Sequence, residues 1–304
     1  MPILISNSTE IGKKAEEFLE YLQVERGSSP LTIRNYRHYL RRFNNWLESQ
    51  NIRQELKDIN QDIVKGYGVY LADLGLGRKT QSYHTIALRS FLKWLRQSGK
   101  EVLDFEQVEV PKFASSKLFF LKGSDVERLL NLPDVKKVQG KRDRAILEVL
   151  YATGLRVSEL TSLNRDSLVQ DRSQLLIPPI SGKVSRTVFL SSRAFGWVDA
   201  YLKSRKDNLK PLFISHKGKL SRLTPRSVQR MIKKYAKNIA LFSDVTPKTL
   251  RHSFATDLLI AGAELRSVQE MLGHKNISTT QIYTHVTNRQ LRDVHSAFHG
   301  KGGK

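Results

Sequence analysis

The spacing of apolar positions changes once along the chain, and the change divides it. From Ile11 to Arg26, apolar residues recur at Ile11, Ala15, Phe18, Leu19 and Leu22, the spacing of a helix with one buried face. Gly27-Ser28-Ser29-Pro30 reads as its stop. A second helix over Thr32–Gln50 puts Ile33, Tyr36, Tyr39, Leu40, Phe43 and Leu47 on one side, with arginines opposite. A third fits Gln61–Leu74, broken by Gly75-Leu76-Gly77. A fourth, Lys79–Ser98, turns Tyr83, Ile86, Leu88, Phe91, Leu92 and Leu95 inward. Such a run of helices predicts an all-α bundle over residues 1–106. Periodicity is lost in Glu106–Lys117, with Pro111 and paired serines, so 107–117 reads as an extended linker.

Beyond the linker the pattern is mixed, predicting a mainly helical second domain, 118–304, with a small antiparallel sheet. Ser124, with Glu127 three residues on, predicts a capping box. Lys141–Thr153 is a core helix, and Gly154 stops it before a turn at Val157–Leu163. Gln174–Ile180 and Arg186–Leu190 read as strands joined by Ser181-Gly182-Lys183-Val184-Ser185, and Leu212–Ser215 as a further strand. Arg193–Arg205 and Thr224–Asn238 are helices, the latter with Thr224 as cap and Pro225 at its first position. Thr246-Pro247 opens another helix, Gly262 ends it, and Leu265–Leu272 follows with Gly273 as its stop. Ser278-Thr279-Thr280-Gln281 predicts a capped start for the short helix that carries Tyr283.

Charge changes this picture from a fold to a function class. The 304 residues carry a net charge of +22. Residues 1–112 hold 17 Lys and Arg against 14 Asp and Glu, and the rest hold 34 against 15. So strong an excess points to a polyanionic partner, with nucleic acid first and an anionic membrane surface second. No run of 18 apolar residues exists, and MPILISNSTE lacks the regions of a signal peptide, so neither a spanning helix nor a leader is expected. Cysteine is absent, which excludes disulfides, thiol nucleophiles and thiolate zinc sites and fits a cytoplasmic protein. Candidate phosphate contacts are Arg34, Arg37, Arg41, Arg78, Lys79 and Arg89 in the first domain. In the second, Arg226 and Arg230 lie on the basic face of Thr224–Asn238.

The candidate chemistry gathers in the second domain. Arg156 stands at a helix start, where a guanidinium can grip a phosphate through two parallel bonds; a surface ion pair with Glu159 is the plainer alternative. Lys183 sits on a hairpin tip and can swing inward as a proton donor, or simply be solvated. Lys248 and Arg251, three apart on one helix, share a face. His274 follows Gly273 on a helix corner. Further histidines, His252, His285, His295 and His299, invite a zinc reading, but His252 is read as a residue that supports the site residues from behind or packs, and no metal or nucleotide cofactor is expected.

Three segments together are specific: ATGLRVSEL at 152–160, LRHSFAT at 250–256 and LGHKNISTTQIYTHV at 272–286. They closely resemble the tyrosine recombinases of the phage-integrase family, most of all the Xer group that resolves chromosome dimers. The resemblance covers almost the whole chain. It implies an N-terminal SAM-like core-binding bundle and a catalytic domain that cuts and rejoins DNA through a 3′-phosphotyrosyl link and a Holliday junction. Carried over by position, it implies that Arg156 and Arg251 stabilise the phosphorane-like transition state, supported by Glu159. His274 adds a hydrogen bond, Lys183 protonates the leaving 5′-oxygen, and Tyr283 is the nucleophile. Two departures stand out. The family usually has His where this chain has Lys248, and the hairpin is short around Gly182-Lys183. The resemblance also implies double-stranded DNA as partner and a homotetramer on two sites. In it the tail helix Asn288–Phe298 (Leu291, Val294, Phe298) docks on a neighbour, with a paralogue or activating partner possible. A mobile-element integrase, a type IB-like topoisomerase and an inactive DNA-binding relative are the alternatives.

Overall fold

The computed structural model describes residues 9–52, 55–113, 118–169, 173–179, 185–239, 245–274 and 276–283. The chain forms two compact units, 1–116 and 117–304.

The first unit is a bundle of four helices: α1 (Glu10–Val24), α2 (Pro30–Ser49), α3 (Gln61–Asp73) and α4 (Arg78–Gln97). Ser29 belongs to the start of α2 rather than the end of α1. Its hydroxyl accepts the Thr32 N–H, and Pro30 takes the first turn, where its missing N–H costs nothing. Phe18, Phe43, Phe91, Leu47 and Leu92 fill the core, which Val108 joins from beyond the last helix. The predicted inward face of α4 is wrong in its first turns. Tyr83 and Ile86 are exposed, and Ser82, His84 and Thr85 are buried in their place. The polar side chains go inward because each finds a partner there. Ser82 bonds the carbonyls of Arg78 and Pro111, and His84 bonds Tyr67 and Arg42.

The second unit is built around α6 (Val138–Thr153), which is buried on nearly every side and packs along α8 (Ser192–Lys203) and α10 (Pro247–Ile260). Its buried charges are paired, with Arg144 donating to Glu148 at 2.9 Å. Around it lie α5 (Gly123–Leu130), α7 (Val157–Ser162), α9 (Pro225–Asn238), α11 (Leu265–Leu272) and α12 (Ser278–Gln281). Two predicted caps are corrected. Ser124 lies inside α5 behind Lys122, and Ser278 lies inside α12 behind Ile277, neither preceding residue giving a side-chain cap. Thr224 and Thr246 do cap, accepting from Ser227 and Thr249.

A three-stranded antiparallel sheet runs β1 (Leu168–Val169), β2 (Gln174–Ile177), β3 (Arg186–Phe189), with Leu175 opposite Val188. Leu175, Ile177 and Val188 face the core, while Leu176 and Phe189 face out. A second pair joins β4 (Ile214–Ser215) to β5 (Ser221–Arg222). Sequence spacing did not reveal β1 or β5, each only two residues long. Among the described residues no helix is long and apolar enough to cross a membrane.

Candidate active site

The site forms where three helix ends meet. Gly154 ends α6 in the left-handed conformation, with φ at 60°. A Cβ there would come within 2.5 Å of the Phe254 ring and 2.9 Å of Leu272, so both backbone and space require glycine. Gly273 ends α11 in the same way, with φ at 63°. The carbonyls at these ends then serve as anchors. Arg251, near the start of α10, donates to Gly154 O at 2.6 Å and to Leu272 O at 2.8 Å. Its guanidinium thus ties the ends of α6 and α11 together, where the partial negative charge of each helix favours a cation. Burial and nearby Arg156 pull its pKa down to about 10, which leaves it charged at neutral pH.

Glu159 organises the other cations. Its carboxylate accepts the Arg156 backbone N–H at 2.8 Å and the Arg156 side chain at 3.2 Å. Arg186, at the start of β3, grips it with two bonds at 2.9 and 3.0 Å. Burial works to raise this carboxyl, but the Arg186 and Arg156 bonds and charges overcome it and hold it at about 2. Of the two readings of Arg156, the ion pair with Glu159 is present; its side chain is also more exposed than that of Arg186, at 30% against 18%. Two guanidiniums bond this one carboxylate and Arg251 lies within its electrostatic reach, so the site carries surplus positive charge for an incoming phosphate. The sequence did not assign Arg186 a role; its bidentate grip on Glu159 emerges only when β3 comes alongside α7.

His274 is fixed at both ring nitrogens. Arg251 donates to Nε2 at 2.7 Å, which makes that nitrogen an acceptor and puts the proton on Nδ1, facing the Thr280 hydroxyl at 2.9 Å. To donate to a phosphate oxygen, as the resemblance implies, Nε2 must first carry a proton, gained from outside or shifted from Nδ1, and exchange Arg251 for the phosphate.

Tyr283 is buried, with 1% of its surface exposed. Its hydroxyl lies 2.8 Å from His252 Nδ1, and the two rings are tilted 59° with centroids 5.4 Å apart. Burial raises the phenol pKa, against the pull of Arg251 and Arg156. Burial, Lys248 and Arg251 pull His252 down to about 4, so the ring is neutral at pH 7. His252, read from the sequence as a packing or supporting residue, thus touches the hydroxyl of Tyr283 directly. Lys248 is exposed, one turn before His252 on α10. Lys183 lies outside the described residues, as does the tail Asn288–Phe298.

The candidate DNA contacts divide. Arg34, Arg78, Lys79, Arg226 and Arg230 are exposed. Arg78 and Lys79 open α4, and Arg226 and Arg230 line α9 beside Lys234 and Lys237. Arg41 is half-buried, and Arg89 lies 5.9 Å from the Phe105 ring centre. Arg37 is half-buried and makes a 2.7 Å ion pair with Glu16 of α1.

Known proteins bear on this geometry. The phage integrase family pattern matches residues 120–290, and the family's N-terminal SAM-like domain matches residues 15–99. Tyrosine recombinase XerD of Listeria monocytogenes serovar 1/2a is 40% identical over 297 residues, spanning 93% of this chain and 97% of that protein. The crystal structure of XerA recombinase is 27% identical with a TM-score of 0.54, covering 95% of this chain and 98% of that one. XerH site-specific recombinase, solved on its palindromic difH substrate after cleavage, has a TM-score of 0.72. At 20% identity, with 96% of this chain and 91% of that chain covered, it supports the fold alone.

Proposed function

The chain belongs to the phage integrase family as a site-specific tyrosine recombinase, and we propose that Tyr283 is the nucleophile with which it cuts and rejoins double-stranded DNA. The observation that carries this assignment is the surplus of guanidinium around Glu159, with Tyr283 in the same electrostatic field. Arg156 and Arg251 bind the non-bridging oxygens and oppose the charge that builds there, from positions fixed before DNA arrives. Glu159 and Arg186 hold Arg156 in place. His274 supplies a further donor once its Nε2 carries a proton. Lys183 protonates the departing 5′-oxygen, and exposed Lys248 contributes charge beside the DNA. The product is a 3′-phosphotyrosyl link, which keeps the energy of the broken bond for the partner strand's 5′-hydroxyl.

Arg34, Arg41, Arg78, Lys79, Arg89, Arg226 and Arg230 supply backbone contacts that make binding steeply salt-dependent. Four copies act on two sites through a Holliday junction, each docking its tail helix on a neighbour, alone or with a paralogue. The cellular task is resolution of chromosome or plasmid dimers in the cytoplasm; the extent of the match to XerD supports it.

The test is a covalent protein–DNA adduct. Cell extract DNA trapped on the protein is sequenced, and the recovered site is rebuilt as a nicked duplex. Wild type is expected to form the adduct and Tyr283→Phe to form none; an undiminished adduct from that variant refutes the assignment. Exchange between two such sites separates recombination from relaxation of supercoils by one molecule, the topoisomerase outcome. Insertion of a mobile segment at an unrelated site would point instead to an integrase.

A further inference from the structure

The proton on Tyr283 has a closer neighbour than Lys248. The two α10 positions lie four residues apart, on one helix face, so His252 sits one turn further along from the place where the family usually has a histidine. Lys248 is exposed at that place, while His252 is buried against Tyr283, its Nδ1 2.8 Å from the phenol oxygen. Resting on Tyr283 as nucleophile, we propose that His252 is a further catalytic residue: it takes the phenol proton during cleavage and returns it during rejoining.

The step balances. The bond from the Tyr283 oxygen to phosphorus forms as the bond from phosphorus to O5′ breaks. The phenol proton passes to His252 Nδ1, and the departing O5′ takes its proton from a separate acid. In rejoining, a 5′-hydroxyl gives its proton back to the conjugate base of that acid as its oxygen attacks phosphorus, the tyrosyl bond breaks, and His252 returns its proton to the leaving phenol oxygen. A neutral imidazole is what this role needs at the start, and burial beside Lys248 and Arg251 keeps the ring neutral. The same surroundings oppose the imidazolium in the empty site. A bound phosphodiester sets a negative charge against Arg156 and Arg251, and so lifts that opposition when the proton has to move. Arg251 does not compete for the phenol, because its bonds go to Gly154, Leu272 and His274.

The experiment uses the full chain and the nicked duplex rebuilt from the Tyr283 adduct, with either oxygen or sulfur at the bridging 5′ position. Sulfur leaves without protonation and so removes the need for the leaving-group acid. His252→Asn keeps an acceptor near the phenol but cannot hold the proton. It is expected to slow adduct formation about 10²–10⁴-fold, equally on both substrates. Its rate should climb about tenfold per pH unit as the phenol itself begins to ionise, while wild type stays level. A rate within about threefold of wild type with the same pH profile overturns the proposal, as does rescue by sulfur. As a check that needs no variant, ¹⁵N-histidine spectra of wild type with DNA and vanadate, which bonds the phenol oxygen, should show His252 as imidazolium; a neutral ring there overturns it equally. If Tyr283→Phe still forms adduct, the nucleophile assignment has failed; if it does not and His252→Asn matches wild type, only the role of His252 has.

Discussion

Among the described residues, two hydrogen-bonded pairs of histidine and tyrosine have both rings buried, and they are built differently. In the first unit His84 Nδ1 lies 3.1 Å from the Tyr67 hydroxyl; in the second His252 Nδ1 lies 2.8 Å from that of Tyr283. Burial first, then neighbouring positive charge, brings both imidazoles to about 4. The difference lies at the second ring nitrogen. Arg42 donates to His84 Nε2 at 3.3 Å, and the Tyr39 backbone also bonds this ring, so His84 is held by more than its tyrosine. Among the described residues no guanidinium claims the second nitrogen of His252, and its Nδ1 is open to receive. The surroundings differ too: Tyr67 packs among Phe43, Trp46 and Tyr70, whereas Tyr283 lies in the field of Arg251 and Arg156. On the proposal made above, chemically the same pair is structural in one place and reactive in the other because of which cations stand around it.

The sharpest way to break this comparison is to remove one hydroxyl at a time. Tyr283→Phe should abolish the DNA adduct, while Tyr67→Phe should leave adduct formation per folded molecule within about threefold of wild type, read on denaturing gels against a melting curve. Adduct loss in both would mean that the first unit's pair is also part of the reaction. Next in size is the field itself. Arg251→Ala should lower the adduct rate by about 10³-fold, as for loss of one preorganised transition-state donor, and should loosen the joined ends of α6 and α11, visible as faster amide exchange there.

Acid tests both pairs at once. Each histidine has a folded value near 4 against an ordinary 6.5, so between these values the unfolded chain binds more protons. Their contribution to stability is present above about pH 6.5 and is lost as pH falls towards about 4. Glu159 follows in a lower window: its contribution is present above its ordinary value of 4.5 and lost as pH falls towards about 2. Denaturant midpoints measured from pH 7 to pH 4 should fall, and less steeply in His84→Gln. An equal fall in that variant would show that His84 does not titrate as described. The smallest effect is expected from His84→Gln at neutral pH, a loss of about 1–3 kcal/mol from a buried network with one partner changed, and no change in adduct chemistry.

Much of the site was legible in the chain because its parts lie in short segments with fixed spacing. Arg156 beside Glu159, Arg251 after Lys248, and His274 after a glycine stop are local facts, and the helix ends that place them follow from Gly154, Thr246 and Gly273. The role of His252 was not legible. Adjacent residues on a helix point about 100° apart, so proximity to Arg251 in sequence says little about what His252 faces. It faces Tyr283, two residues past α12, a helix of four residues whose place in the fold no periodicity can give. Arg186 and Thr280 were missed for the same reason, since each acts on a partner brought near by packing. The reading of α4 failed where polar groups found buried partners, which hydrophobic spacing does not register.

By itself the sequence determined two helical units, an excess of positive charge, and the residues that can grip a phosphate. These depend on interactions within a turn or two of chain, or on charge summed over the whole. Only the tertiary structure decided which imidazole meets the tyrosine, which arginine steadies Glu159, and which buried histidine is held by a cation and which is open to a proton. Those are contacts between segments about thirty residues apart or more, fixed by the packing of α7, α10, α11, α12 and β3, and a proton moves only between atoms that such packing brings within hydrogen-bond reach.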